Sequence, residues 1–213
     1  MKILALELST ARGSLAWLDE NGRGLTREWP NDRKNSSLFF ENLAAVTERF
    51  GAPGTIIVGL GPGSYAGTRI AISAAIGLQV SSGARLIGFP SIAAMQCDGH
   101  EYSVIGDARR KSFFFSRIRS NKVIEGPALF SESELTPRLN AVEKEMPVFT
   151  SDSLPQFERA VVAFPSAMVL ARLAREPQRN FCLPLLEPIY LREPHITRAT
   201  RGSGMLADKD ASG

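Results

Sequence analysis

The sequence has few of the residues that usually carry metal or nucleophile chemistry: two histidines and two cysteines among 213 residues. His100 and His195 are far apart in the chain, and Cys97 and Cys182 have no CxxC spacing. A catalytic zinc site needs several clustered ligands, and the GxSxG motif of serine hydrolases is also missing. We therefore expect no metal site, no catalytic residues and no disulfide framework.

A long apolar segment and a strong charge of either sign are missing as well. The longest uncharged stretch lies between Arg69 and Arg85, which is too short to span a membrane. Glu7 interrupts the apolar N-terminus before a signal peptide could form. The net charge of +3, from 25 basic and 22 acidic residues, is too small to argue for nucleic-acid binding by itself. We expect a cytoplasmic protein without a membrane-spanning part.

Strand and helix patterns alternate along the chain, and they restart halfway. A meander of three strands, with a hairpin turn at Asn21-Gly22, is followed by helix, strand, helix and strand. The predicted ranges are 2–8, 14–18, 25–29, 37–50, 56–58, 68–82 and 85–88. A second set of strands begins near residue 102, and an amphipathic helix covers 166–175. This order predicts an α/β fold, with a first lobe over residues 1–100, a second over 101–200 and a disordered tail over 201–213.

A glycine-rich turn, Gly61-Pro62-Gly63-Ser64, joins the strand 56–58 to the uncharged helix. Such a turn can present backbone N–H groups to an anion, or it can serve only as a tight structural turn, which we favour. It is not a P-loop, because no Lys-Ser/Thr pair follows. Carboxylates and hydroxyls at two strand ends are further candidates for a nucleotide site. The candidate nucleotide-binding residues are Glu7, Ser9, Thr10, Gly61, Gly63, Ser64 and Asp107.

The uncharged helix 68–82 carries more apolar residues than a single core-facing stripe requires. Leu38 and Phe40 likewise fall outside the stripe predicted for helix 37–50. Gly77 in mid-helix costs about 1 kcal/mol relative to alanine, a cost that close packing of helices would explain. We therefore predict an interface between these two helices and a partner or a second copy of the chain. The predicted interface residues are Leu38, Phe40, Arg69, Ile70, Ile72, Ala74, Ala75, Ile76, Gly77 and Leu78.

Five segments occur in an order that resembles one known family. They are MKILALELST at the N-terminus, GLGPGSYAGTRIAISAAIGL, IGFPSIAAM, IGDAR and EPIYLR. The sequence resembles the TsaB family, also called YeaZ, across nearly the whole chain before the tail. That family is the non-catalytic partner in the bacterial complex that makes threonylcarbamoyladenosine at position 37 of tRNA, and older descriptions label it an M22 glycoprotease.

The resemblance implies an actin-like, sugar-kinase-like ATPase fold with two RNase H-like lobes, the second reduced. It implies that the chain binds the catalytic paralogue TsaD, works with the ATPase TsaE, touches tRNA only through the complex and forms a homodimer when alone. It implies no resident cofactor, and it leaves nucleotide binding at the partner interface open.

The sequence departs from the family at several positions. Glu7 stands where the family usually has Asp, and Tyr65-Ala66 replaces Phe-Thr. The catalytic paralogue has a His-x-Glu-Gly-His metal motif where this chain has residues 91–95, without a metal ligand. The alternative to a scaffold subunit is an enzyme, either a nucleotide-using kinase-like protein or an M22-type peptidase, but the metal ligands and the general base that such enzymes need are missing.

Overall fold

The computed structural model describes residues 1–31, 36–97 and 99–192, and its first five strands form one mixed sheet. The strand order is β3-β2-β1-β4-β5. The first three strands pair antiparallel and the last three pair parallel. The strands are β1 (Ile3–Glu7), β2 (Arg12–Leu18), β3 (Gly24–Pro30), β4 (Thr55–Gly59) and β5 (Arg85–Phe89).

A second sheet repeats the same topology, with the order β10-β9-β6-β7-β8. Its central strand pairs antiparallel with one neighbour and parallel with the other. The strands are β6 (Glu101–Asp107), β7 (Ser112–Arg119), β8 (Lys122–Ser131), β9 (Val148–Thr150) and β10 (Ala160–Val162). The predicted arrangement of two RNase H-like lobes is therefore confirmed.

Helices cover the two sheets unequally. The first lobe has α1 (Ser37–Phe50) and α2 (Tyr65–Ser82), whereas the second has only α3 (Glu132–Ala141) between β8 and β9 and a turn between β9 and β10. A last helix, α4 (Ala167–Leu173), contacts β1, β2 and β4 of the first sheet. The second lobe is thus the reduced one, as predicted. None of the helices in the described ranges is long and apolar enough to cross a membrane.

The parallel strands of the first sheet, β1, β4 and β5, are buried on both faces, which explains why they read as nearly continuous apolar runs, whereas the edge strand β3 is mostly exposed. Leu4 and Leu6 of β1 face a core shared with α1 and α2, while Ile3 and Ala5 face a core shared with α4 and the second lobe. A third core lies between the second sheet and α3. The lobes are therefore joined by a common hydrophobic layer.

The chain returns to the first lobe after α4. Cys182 exchanges backbone hydrogen bonds with Gly88 of β5, and the Ile189 N–H donates to Leu60 O. We call residues 181–192 the strap; it contains the EPIYLR segment and is not a strand. Residues that the sequence analysis grouped with the second lobe thus pack on the first. Asn35, predicted as a helix cap, residues 193–200 of the second lobe and the tail 201–213 lie outside the described residues.

Candidate site: an interlobe cleft and an exposed helical surface

A cleft of about 500 Å³ lies between the lobes, where the central strands of both sheets end. The first lobe contributes Ser9 and Thr10 after β1 and the turn that starts α2. The second lobe contributes Asp107 and Arg109 after β6, and the strap contributes Tyr190 and Arg192. The cleft therefore brings hydroxyl, carboxylate, guanidinium and aromatic groups together.

Most of the residues predicted for a nucleotide site line this cleft, but two do not. Gly61 and Glu7 are buried and do not line the cleft. The five that line it are Ser9, Thr10, Gly63, Ser64 and Asp107. Five of the seven candidate residues thus lie together at the cleft, and whether they bind a nucleotide stays a prediction.

Glu7 is fully buried beneath the cleft instead of facing it. Its Oε1 accepts a hydrogen bond of 2.7 Å from the Ser9 N–H, and its Oε2 lies against Gly59, where a Cβ would overlap it. Oε2 has no hydrogen-bond partner among the described residues. Burial raises the pKa of the Glu7 carboxyl, and the nearby Ser9 and Ser91 groups oppose that shift only in part. Glu7 is therefore a core residue and cannot contact a nucleotide in the cleft.

The glycine turn is held by close backbone contacts. A Cβ on Gly63 would overlap Ser9 O, and one on Gly67 would overlap Leu8 O. The Ser64 N–H donates to Ser9 O, and the Ser64 hydroxyl caps α2 by accepting from the Gly67 N–H at 3.3 Å. These glycines let the first turn of α2 pack directly on the end of β1.

On the opposite wall, the carboxylates are already engaged. Asp107 accepts from the Arg109 backbone N–H and pairs with its guanidinium at 3.0 Å. Asp152 accepts from the Asp107 N–H at 2.8 Å. Across the described ranges, no three His, Cys, Asp or Glu side chains come together as metal ligands would. This wall can therefore hydrogen-bond to a ligand, and its Arg109 guanidinium is balanced by the Asp107 carboxylate.

An aromatic pair that the sequence analysis did not single out stands at the mouth of the cleft. The Tyr65 and Tyr190 rings lie 5.5 Å apart, and both are about half exposed. The Arg69 guanidinium sits 5.0 Å from the Tyr65 ring centroid and donates to its hydroxyl. Partial burial and the neighbouring Tyr65 raise the pKa of Tyr190. Arg69, predicted as an interface residue, therefore belongs in part to this cluster.

A second feature is the outer face of α1 and α2, which exposes large apolar side chains. Val80 is 82% exposed, and Leu38, Phe40 and Ile76 are each between 42% and 49% exposed. A Cβ on Gly77 would meet nothing within 4 Å. We call these five residues the helical surface. No packing within the described part of the chain requires glycine at position 77.

Two of the predicted interface residues do not belong to that surface. Ala75 is fully buried and Ile72 nearly so, both in the core between α2 and the first sheet. Ile70, Ala74 and Leu78 are half-buried along its margin. The prediction was wrong for Ile72 and Ala75, because an almost uncharged helix does not mark in its sequence which apolar side faces the sheet.

The topology and the interlobe cleft together define an actin-like fold with two RNase H-like lobes. Two solved structures from Pseudomonas aeruginosa share it over most of this chain. One, described as an uncharacterized protein with similarity to peptidase YeaZ, is 20% identical with a TM-score of 0.71, covering 90% of this chain and 99% of its own. The other, YeaZ, is 19% identical with a TM-score of 0.70, covering 89% of this chain and 100% of its own. No family model and no curated protein matches the sequence.

Proposed function

We propose that this chain is the non-catalytic TsaB-type subunit of the complex that makes threonylcarbamoyladenosine at position 37 of tRNA. The observation that carries the proposal is the exposed helical surface on a YeaZ-like fold. In the cytoplasm, the chain binds the catalytic paralogue TsaD through that surface, and TsaE joins the assembly. Purified alone, it covers the same surface with a second copy of itself.

The chemistry of the helical surface supports a protein partner. Fully burying one exposed aliphatic or aromatic side chain contributes about 1.5–3 kcal/mol, so the four large side chains of this surface, which are 42–82% exposed, can each contribute a part of that. Arg69 is the one charged side chain of α2, so few charges would have to be desolvated along that helix. Exposed small residues, Gly77 and Ser73, allow another helix to approach closely.

The experiment is co-purification of tagged chain with the TsaD of its host, with Val80→Glu as the test variant. An interfacial carboxylate without a partner costs several kcal/mol to bury, so we expect binding to weaken by about 100-fold or more. Val80 is exposed in the monomer, so the variant should fold, and it should melt at the wild-type temperature at dilutions where the wild-type homodimer has dissociated. Ala75→Glu is unsuitable, because a charge at that buried position unfolds the chain.

Val161→Glu is the matched control. Val161 is 60% exposed on the edge strand β10 of the second lobe, so it carries the same substitution on a different surface. The control should retain TsaD binding. A folded Val80→Glu variant that still binds TsaD as tightly as the control would contradict the proposal.

A nucleotide-using enzyme is the second candidate, and the open cleft beside the N-terminus of α2 is the observation that favours it. Calorimetric titration of the chain with Mg-ATP tests this candidate. Stoichiometric binding that Gly63→Ala abolishes without lowering the melting temperature would favour the enzyme over the scaffold.

A further inference from the structure

The turn between β6 and β7 places three consecutive cationic residues in an unusual backbone conformation. Arg109, Arg110 and Lys111 have φ values of 66°, 55° and 57°. Residues other than Gly, Asn and Asp rarely adopt this left-handed backbone conformation. In the turn between β7 and β8, Ser120 and Asn121 adopt the same left-handed conformation, which asparagine tolerates well.

Hydrogen bonds at the base of the turn stabilise this conformation. The Arg109 N–H donates to the Asp107 carboxylate, and the Ala108 N–H donates to Ser112 O at 2.9 Å. Backbone strain of this kind persists where the surroundings enforce it, and it concentrates at functional sites. The strained residues here are all exposed and basic. The Arg109 guanidinium pairs with Asp107, whereas the side chains of Arg110 and Lys111 are available to a ligand.

The turn stands beside the interlobe cleft. Arg109 and Arg192 both line that cleft, whereas Lys111 lies on the far side of the turn near Ser131. Among the described residues, Arg110 and Lys111 form no ion pair. Arg109 therefore brings the cationic turn to the second-lobe wall of the cleft, and Arg192 adds a cation on the strap, two residues after Tyr190.

Basic side chains combined with exposed aromatic rings are the means by which proteins hold single-stranded nucleic acid, with cations on phosphates and rings under unstacked bases. An acidic peptide would leave the tyrosine pair unused, and a flat membrane surface would not reach into a cleft. The arrangement thus favours RNA over these other anionic partners.

We propose that the chain itself contacts the tRNA, with phosphates at Arg109, Arg110 and Arg192 and an unstacked base against Tyr65 and Tyr190. The proposal rests on the proposed function for the identity of the RNA. It goes beyond that function because it gives this subunit its own RNA-binding site, separate from the helical surface.

The experiment measures binding of an unmodified tRNA transcript by fluorescence anisotropy at salt concentrations from about 50 to about 200 mM. It uses both the chain alone and its complex with the host's TsaD. The decisive variant is Arg110→Asn, which removes a cation and supplies a residue that tolerates the left-handed conformation. We expect affinity to fall by roughly 5- to 10-fold and the salt slope by about 0.7–0.9, while the melting temperature stays unchanged or rises.

Matched controls separate the two kinds of contact. Tyr190→Ala should weaken tRNA binding by about 5-fold or more without changing the salt slope, and Tyr190→Phe should bind as wild type, because stacking needs only the ring. Lys122→Ala removes an exposed cation beside the β7–β8 turn, at the opposite end of the second sheet, and should have no effect.

The outcomes are distinguishable from those of the proposed function. If Arg110→Asn melts at the wild-type temperature or above and leaves tRNA affinity and salt slope unchanged, the inference is overturned. It is also overturned if neither the chain nor the complex binds tRNA, or if the variant loses affinity for ATP and not for tRNA. If no TsaD complex forms but the chain alone binds tRNA with these variant effects, the RNA site stands and the proposed function fails.

Discussion

Replacing Glu7 by glutamine should stabilise the protein at neutral pH. The side chain is fully buried, and its Oε2 has no hydrogen-bond partner among the described residues. Burial of a carboxyl favours its neutral form, and the pKa of Glu7 is raised above the ordinary value of 4.5. The amide that Glu7→Gln introduces would keep the same shape, accept from the Ser9 N–H and donate towards the Ser91 hydroxyl, without a charge.

The sign of the pH dependence follows from the raised pKa. Below pH 4.5, the Glu7 carboxyl is protonated in both the folded and the unfolded chain, so it carries no penalty. As the pH rises towards the folded-state pKa, the unfolded chain loses its proton first, and the free energy of unfolding falls. The wild type should therefore lose stability relative to Glu7→Gln between about pH 4.5 and neutrality.

Glu7→Gln should raise the free energy of unfolding at pH 7 by about 1–3 kcal/mol, the cost of leaving one buried polar group without a partner. For a chain of this length, that corresponds to a rise in melting temperature of roughly 2–4 °C per kcal/mol. Thermal unfolding followed by circular dichroism at several pH values from 4 to 7 measures it. Glu158→Gln, at an exposed position, is the control and should match the wild type throughout.

A wild type that is more stable than Glu7→Gln at pH 7 would refute this reasoning. So would a stability difference that does not change with pH. The first result would mean that Glu7 is ionised and well paired in the folded protein, as a carboxylate that serves a ligand would be. The second would mean that folding does not shift the pKa of Glu7.

Three further predictions concern the stability of single helices. Gly67→Ala should lower the melting temperature, because its Cβ would overlap Leu8 O. Gly77→Ala, where a Cβ meets nothing within 4 Å in the monomer, should stabilise the chain by about 0.5–1 kcal/mol at dilutions that dissociate the homodimer. A loss of stability under those conditions would contradict the open geometry. Ser131→Ala should lower the free energy of unfolding by about 0.5–2 kcal/mol, because it removes the capping box with Glu134 at the start of α3. Denaturant titration measures this loss. An unchanged midpoint would show that the stability of α3 does not depend on its cap.

The sequence predicts the first lobe well because its apolar strands are continuous and its turns are rich in glycine. Helix α3 was not predicted, because only Leu135 and Leu139 are buried in it and Pro137 interrupts the helical pattern. Its one clear sequence signal was the capping box, Ser131 followed three residues later by Glu134. Strand β10 was also missed, since it has three residues and an exposed outer edge.

The candidate site was predicted in part. Strand ends located the cleft, but which way a carboxylate points depends on the space beside it. Glu7 turns into the core because Gly59 leaves room for its Oε2. The Tyr65–Tyr190 pair joins residues that are far apart in the chain, and no local pattern reports such a contact.

The most direct test of the central claim is hydrogen exchange of the chain with and without the host's TsaD. At a concentration where the chain alone is monomeric, we predict that TsaD protects backbone amides of α1 and α2, residues 37–50 and 65–82, while α3 exchanges as it does in the free chain. Protection confined to the second lobe, or none at saturating TsaD, would contradict it.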